Sequence, residues 1–283
     1  MLHYKEIFLG GRCNNNCLYC STRHKDSAQT DFNSISTVLN QKDGENVVIY
    51  GGEPTLRSDF FEIILGAQRN DYQRIKLITN GRILSDIQFL FRIFNAGCYL
   101  FEMKLWGSNP DLHDYLTQSP GSFRETIKGL ENLQRISSDK FIYIRIPLCK
   151  QNYGDIENTV AMALNFGVNR IILALEDYNL AFKLALPHIR NALNISIFNR
   201  VWILTEGLPF CVMQGLEQHL SEIYTGWQTI YDRNYRHHKN CRNCVYHEIC
   251  PGIEIRYLKQ FGDRELLPVK SSKYFHDIKA LYG

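Results

Sequence analysis

The chain has 283 residues, with 45% hydrophobic and 22% charged residues and a formal net charge of +3. That is enough chain for one α/β barrel or two ordinary domains, and a charge so near neutrality argues against a dedicated nucleic-acid binder. No apolar run approaches the roughly 20 residues that span a bilayer, and residues 1–6 lack the basic and apolar regions of a secretory signal, so the expectation is a cytoplasmic protein with no membrane partner.

In chain order, an apolar strand at residues 7–9 leads into Cys13-Asn-Asn-Asn-Cys17-Leu-Tyr-Cys20. A second strand, 47–50, closes on Gly51-Gly52-Glu53-Pro54. The helix after it starts near Ser58, a fitting N-cap, with Asp59 and Glu62 in its first turn. A third strand, 75–78, ends at Thr79-Asn80-Gly81 and precedes a helix over 85–96, with Gly97 as its C-terminal cap. A fourth strand covers 99–105. Phe123, Ile127, Leu130 and Leu133 recur at helical spacing and predict a helix over 123–136. A fifth strand (141–148), a helix (156–166, stopped by Gly167), a sixth strand (168–175) and a helix to about 193 follow.

Six βα units predict an α/β fold, because parallel strands joined by helical crossovers must be covered on both faces. The cysteine loop, Gly-Gly-Glu-Pro and Thr-Asn-Gly all fall at the C-terminal ends of strands, where a barrel carries its site. The choices are a doubly wound sheet or a partial (β/α)6 TIM-type barrel over residues 1–205, and the three strand-end segments favour the barrel. After about residue 200 the pattern becomes loop-rich, aromatic and basic, with a turn at Leu208-Pro209-Phe210-Cys211. Residues 206–283 therefore read as a small cysteine-rich domain organised by metal rather than by a large core.

Nine cysteines are many for a reducing compartment, where clustered thiols point to metal ligands rather than disulfides. Cys13, Cys17 and Cys20 can hold three irons of a [4Fe–4S] cluster and leave the fourth without a protein ligand, open to a substrate or cofactor. Cys211, Cys241, Cys244 and Cys250 suffice for a second, fully ligated [4Fe–4S] cluster, or for a structural zinc ion. With four cysteines present, His237 and His238 are not needed as ligands. The basic stretch 233–239 reads as a solvated loop or as an attractor of an acidic peptide, a nucleotide or RNA. Cys98 reads as core. Cys149, at the end of the fifth strand, is a candidate hydrogen-atom donor or a small buried residue.

These residues together resemble the radical S-adenosylmethionine (SAM) superfamily. The resemblance rests on CxxxCxxC with Tyr19 before its last cysteine, and on Gly51-Gly52-Glu53-Pro54 after the second strand. Asp111-Leu112-His113-Asp114 followed by Gly121-Ser122-Phe123 adds to it, and the likeness covers residues 4–205. It implies that the first cluster chelates SAM, that one electron cleaves the sulfonium bond, and that the resulting 5′-deoxyadenosyl radical abstracts a substrate hydrogen. Gly51 and Gly52 would let the main chain approach the methionine amino group, and Glu53, in the segment closed by Pro54, would accept from that ammonium. Tyr19 would pack near adenine, and Thr79 and Asn80 would touch the ribose or methionine. Lys104 stands where related proteins often carry a small hydroxyl residue. It and Arg145 are candidates for the SAM carboxylate; Arg145 needs an anion if it points inward, and a structural salt bridge is its other reading.

The late cysteines resemble part of the SPASM and shorter twitch auxiliary-cluster domains, although the CxxxC that usually follows Cys250 is missing. One auxiliary [4Fe–4S] cluster is expected. The function implied is modification of a peptide or protein, as in the maturation of ribosomally made precursors. The alternatives are dehydrogenation or C–C bond formation on a small molecule in cofactor or natural-product biosynthesis, and a non-enzymatic iron–sulfur electron-transfer protein. An electron donor such as flavodoxin or ferredoxin is the implied partner. Twelve residues precede Cys13, too few for a fused leader-binding domain, which counts against the peptide reading.

Overall fold

The computed structural model describes residues 4–20, 29–42, 44–136, 142–168, 170–225 and 234–282. Seven strands form one sheet in chain order: β1 (Tyr4–Phe8), β2 (Asn46–Tyr50), β3 (Arg74–Thr79), β4 (Leu100–Lys104), β5 (Ile142–Leu148), β6 (Arg170–Leu175) and β7 (Trp202–Glu206). Strands and helices alternate as in a partial (β/α) barrel: α1 (Phe32–Asn40), α2 (Phe60–Arg69), α3 (Ile87–Asn95), α4 (Pro110–Thr117), α5 (Ser122–Ile136), α6 (Ile156–Asn165) and α7 (Phe182–Asn199). The expected α/β class holds, with one strand more than the six anticipated. Phe141, expected to open the fifth strand, lies outside the described residues.

The chain's contacts divide it into two compact units, with breaks inside β5, α6 and β6. One compact unit comprises residues 2–146 and 158–170, the other 147–157 and 171–283.

In the first unit, β1 to β5 pair in parallel and in register. Neighbours in a parallel register share a face, and successive residues alternate faces. One face therefore carries Val47, Ile49, Ile75, Leu77, Phe101, Met103, Ile142 and Ile144, all buried. It meets helices, as Phe94 of α3 does with its ring 5.6 Å from that of Phe101. The opposite face carries Glu6, Lys76, Glu102, Lys104, Tyr143 and Arg145. Val48, Ile78 and Leu100 share that face, so it is mixed, and it gathers the ionisable groups of these strands.

In the second unit, α7 is capped at its C-terminus by Arg200 in the left-handed region (φ 55°). A short antiparallel pair, β8 (Tyr235–Arg236) and β9 (Ile253–Glu254), accompanies α8 (Glu222–Thr225), α9 (Ile255–Phe261) and α10 (Phe275–Tyr282). The apolar centre here is aromatic: Phe182 stacks on Tyr257 at 4.0 Å and Phe210 lies 4.6 Å from Tyr246. Among the described residues, no helix is long and apolar enough to cross a membrane.

Candidate functional site

The loop carrying Cys13, Cys17 and Cys20 leaves β1 and has no regular secondary structure. Its backbone is held from outside: Asn16 N donates to Thr117 O and Leu18 N to Leu116 O, both at 2.9 Å. The last carbonyls of a helix have no intrahelical partner, so the end of α4 is a ready acceptor for this loop. All three thiols are half-buried. Burial pushes the Cys17 thiol up to about 12, Cys13 and Cys20 add to the shift, and Lys104 opposes it. Burial likewise raises Cys13, with Glu53 and Cys20 adding, against hydrogen bonds from Asn15 (3.3 Å) and Asn80 (3.8 Å) to its sulfur. Cys13 and Cys17 therefore resist ionisation, a resistance that a bound cation reverses. Tyr19 is half-buried beside Cys20.

The loop after β2 lies directly against the segment that feeds the cysteines. Gly52 N donates to Gly10 O and Glu53 N to Arg12 O, both at 2.8 Å. A Cβ on Gly52 would stand 2.3 Å from Arg12 O and 2.5 Å from Gly11 O, and one on Gly51 would stand 2.6 Å from Gly10 O. The close approach that sequence reading assigned to a ligand is thus made here to the chain's own backbone. Farther along, the buried Arg57 donates from Nη1 to Leu9 O (3.0 Å) and Thr30 O (2.8 Å) while pairing with Asp59.

Glu53 is buried, and its carboxylate accepts from Thr55 N and Oγ1, Thr79 Oγ1 (2.8 Å) and Asn80 N (2.7 Å). Burial raises its pKa against these donors. Where a ligand ammonium was expected, four donors from the protein stand on its two oxygens, so Glu53 braces the β2 and β3 loops together. Pro54 opens a short 3-10 turn, Pro54–Leu56, and is buried. Asn80 links the β3 loop to the cysteine loop, donating from Nδ2 to Asn14 Oδ1 at 2.7 Å.

Lys104 and Arg145 are register neighbours on the charged face. Lys104 stands near enough to Cys17 to favour its thiolate. Arg145 donates from Nε to Glu102 Oε1 at 2.7 Å, and Lys76 pairs with the other oxygen. Glu102 thus supplies an anion of the kind that an inward Arg145 requires. Burial opposes ionisation of Glu102, but Lys76 and Arg145 outweigh it and hold the carboxyl well below its usual range.

The second thiol group lies in the other unit. Cys211, Cys241, Cys244 and Cys250 line one cavity, together with His237 and His247. Burial pushes Cys211 up to about 12, with Cys250, Cys244 and Cys241 adding. His237 Nε2 donates to Cys250 O at 2.8 Å, and its ring lies 4.5 Å from that of His247. His238 instead caps the turn Lys239–Asn243. His247 was passed over in the sequence, although Cys241-x2-Cys244-x2-His247-x2-Cys250 is a regular spacing. Arg233 of the basic stretch lies outside the described residues. Among the described residues, no three His, Cys, Asp or Glu side chains converge to hold a single metal ion.

Two thiols stand apart from both groups. Cys98 is buried and donates to Ile75 O at 3.4 Å. Cys149 is fully buried and donates to Asn152 Oδ1 at 3.3 Å. That is the environment of a small core residue and not of a hydrogen-atom donor open to a cavity.

The profile of the Radical SAM superfamily matches residues 7–163, more than half of the chain. The chain belongs to the radical SAM superfamily. Among curated radical SAM relatives it is 24% identical over 173 residues to a probable GTP 3′,8-cyclase of Saccharolobus islandicus, covering 59% of this chain and 55% of that protein. It spans about half the length of the curated relatives it matches. Among solved structures, anSMEcpe with bound AdoMet and the Kp18Cys peptide superposes with a TM-score of 0.64 at 13% identity, over 98% of this chain and 95% of that one. Streptococcus suis SuiB bound to precursor peptide SuiA gives a TM-score of 0.59 at 15% identity, over 73% of this chain and 50% of that one. At these identities the likeness is one of fold, and with anSMEcpe it runs through both the barrel and the cysteine-bearing C-terminal part of this radical SAM chain.

Proposed function

We propose that this chain is a radical SAM enzyme that modifies a peptide or protein, with Cys13, Cys17 and Cys20 holding a [4Fe–4S] cluster. The observation that carries the reading is the meeting of the three-cysteine loop with the Gly51-Gly52-Glu53 loop and with Asn80, which donates to the Cys13 sulfur, to Asn14 and to Glu53, beside the cation Lys104. The donor set fits the group, since soft thiolates favour iron–sulfur clusters. The N–H groups of Asn15 and Asn80, aimed at the Cys13 sulfur, stabilise a thiolate there. Cluster and SAM, when bound, supply reductive cleavage of the sulfonium bond.

The protein's own part is positioning. Glu53 and Asn80 fix the β2 and β3 loops, Lys104 and Arg145 offer cations to the SAM carboxylate, and Tyr19 offers an apolar ring to adenine. Thr79 is occupied with Glu53 and acts through it.

Cys211, Cys241, Cys244 and Cys250 would hold one auxiliary [4Fe–4S] cluster in a functional division of residues 1–205 and 206–283. Flavodoxin or ferredoxin would supply electrons in a cytoplasmic setting. The peptide reading is supported by the likeness to anSMEcpe and SuiB, both solved with peptides. Action on a small molecule is the second reading, favoured by the curated match to a GTP 3′,8-cyclase. A short precursor peptide encoded beside this gene would favour the first.

The deciding experiment is anaerobic reconstitution with iron and sulfide, reduction with dithionite and addition of SAM. The wild-type protein should release 5′-deoxyadenosine, and the triple variant Cys13→Ala/Cys17→Ala/Cys20→Ala should release none. Absence of 5′-deoxyadenosine from the iron-loaded wild type would overturn the proposal.

A further inference from the structure

Three thiols in an irregular, half-exposed loop must converge on one group, and something outside the loop has to hold them. Arg82, just past Thr79-Asn80-Gly81, has a side chain only 14% exposed. Its Nη1 donates to Asn14 O at 2.6 Å, Asn15 Oδ1 at 2.8 Å and Ser119 Oγ at 2.9 Å, and its Nε donates to Glu125. Ser119 Oγ itself donates to Asn14 O at 3.2 Å. Asn80 closes the arrangement by accepting from Arg82 N at 3.0 Å and donating to Asn14. One guanidinium thus grips the two residues that follow Cys13 and ties them to the connection between α4 and α5.

We propose that Arg82 is the positioning residue of the cysteine loop, holding Cys13 and Cys17 in place before any metal arrives. The proposal rests on the reading of this loop as the cluster site. The grip depends on orientation as well as charge: Nε is held by Glu125 while Nη1 alone meets all three loop acceptors, so the rigid guanidinium plane fixes where that nitrogen sits, whereas a lysine ammonium rides on a flexible stem. Glu125 is 46% exposed, so its ion pair with Arg82 contributes little, and the loop acceptors are what the buried cation serves.

The test compares Arg82→Lys, Ser119→Ala and Glu125→Gln with wild type in two measurements. In metal-free, reduced protein, the alkylation rate of each cysteine is mapped by peptide mass spectrometry. Arg82→Lys should accelerate Cys13 and Cys17 by about tenfold, the loss expected for one charge-assisted hydrogen bond. Cys211, Cys241, Cys244 and Cys250 should be unchanged. Ser119→Ala should show a smaller effect of the same pattern, and Glu125→Gln none. In the Cys241→Ala/Cys244→Ala background, iron loss to a chelator should be faster for Arg82→Lys by a similar factor. Equal rates for wild type and Arg82→Lys in both measurements would overturn the proposal, as would acceleration of all seven thiols together. Failure of the wild type to hold iron at the triad, with selective thiol exposure in Arg82→Lys, would refute the cluster reading and leave the loop grip standing.

Discussion

His113 is 1% exposed, and its Nδ1 lies 3.2 Å from Ser122 Oγ, while its Nε2 is buried without a hydrogen-bond partner. Burial lowers its pKa to about 4 from 6.5, and the neighbouring Asp114 only partly opposes this. The folded protein therefore resists a proton that the unfolded chain accepts. The stability this contributes is complete above pH 6.5 and is lost as the pH falls from there toward about 4. Between pH 6.5 and pH 5 the loss should be about 2 kcal/mol. Urea denaturation of wild type and His113→Asn at the two pH values checks this, and the variant should show a correspondingly flatter dependence. The effect bears on the site because Asp114, beside His113, accepts from Gly121 N, Phe123 N and Ser122 Oγ. That network joins α4, whose carbonyls hold the cysteine loop, to α5. The Asp-Leu-His-Asp and Gly-Ser-Phe segments, known from sequence only as part of a resemblance, thus acquire a mechanical role.

At the scale of elements, β3, β4 and β5 are joined across the charged face by Lys76, Glu102 and Arg145. Glu102 is 2% exposed, whereas the two cations are 18% and 15% exposed. Glu102→Gln removes the carboxylate that both cations face and should destabilise the fold by about 3 kcal/mol. Lys76→Met should cost less, because Arg145 still neutralises Glu102. A variant pair ranked the other way in chemical denaturation would show that Glu102 is not the hub. Since its depressed pKa makes the ionised form stabilising, this contribution is held above the unfolded carboxyl range and is lost only as the pH falls through the folded value.

The same elements show what a single chain discloses. Strands such as Asn46–Tyr50 were legible because sheet strands covered on both faces read as apolar runs closed by glycine. The helix Phe32–Asn40 was not, since only Ile35 and Leu39 are buried on it, too few to set a period. Pro110–Thr117 carried its signals, Asn109 as N-cap and Pro110 in the first turn, in a segment read for its motif alone. Trp202–Glu206 buries only Ile203 and Thr205, which is too weak an alternation to mark a strand. The site residues split in the same way. Cysteines and glycines announce themselves by local spacing, whereas Arg82 meets Asn14 and Asn15 across 68 and 67 residues, and Arg145 meets Glu102 across 43. Local pattern carries no trace of such pairings.

At the scale of the whole molecule, the chain carries two thiol groups, each contained in one compact unit. The late four cysteines also suit a single zinc ion by composition, but zinc binds as one ion per four thiolates, whereas a four-iron cluster spreads its iron over all of them. The metal content of the reconstituted chain therefore separates the readings without reference to a substrate. Two clusters predict about eight irons per chain, falling to about four in Cys241→Ala/Cys244→Ala and to about four in the Cys13/Cys17/Cys20 triple variant. The two halves should differ in spectroscopy: adding SAM should perturb the electron paramagnetic resonance signal that survives in Cys241→Ala/Cys244→Ala, because an iron without a protein ligand is open to it. The signal that survives in the triple variant should ignore SAM, because four thiols close its cluster. One zinc in place of four irons at the late cysteines would make that region a structural metal site. An SAM response from the triple variant would mean that the open iron lies among the late cysteines and that the division of labour is the reverse of the one proposed.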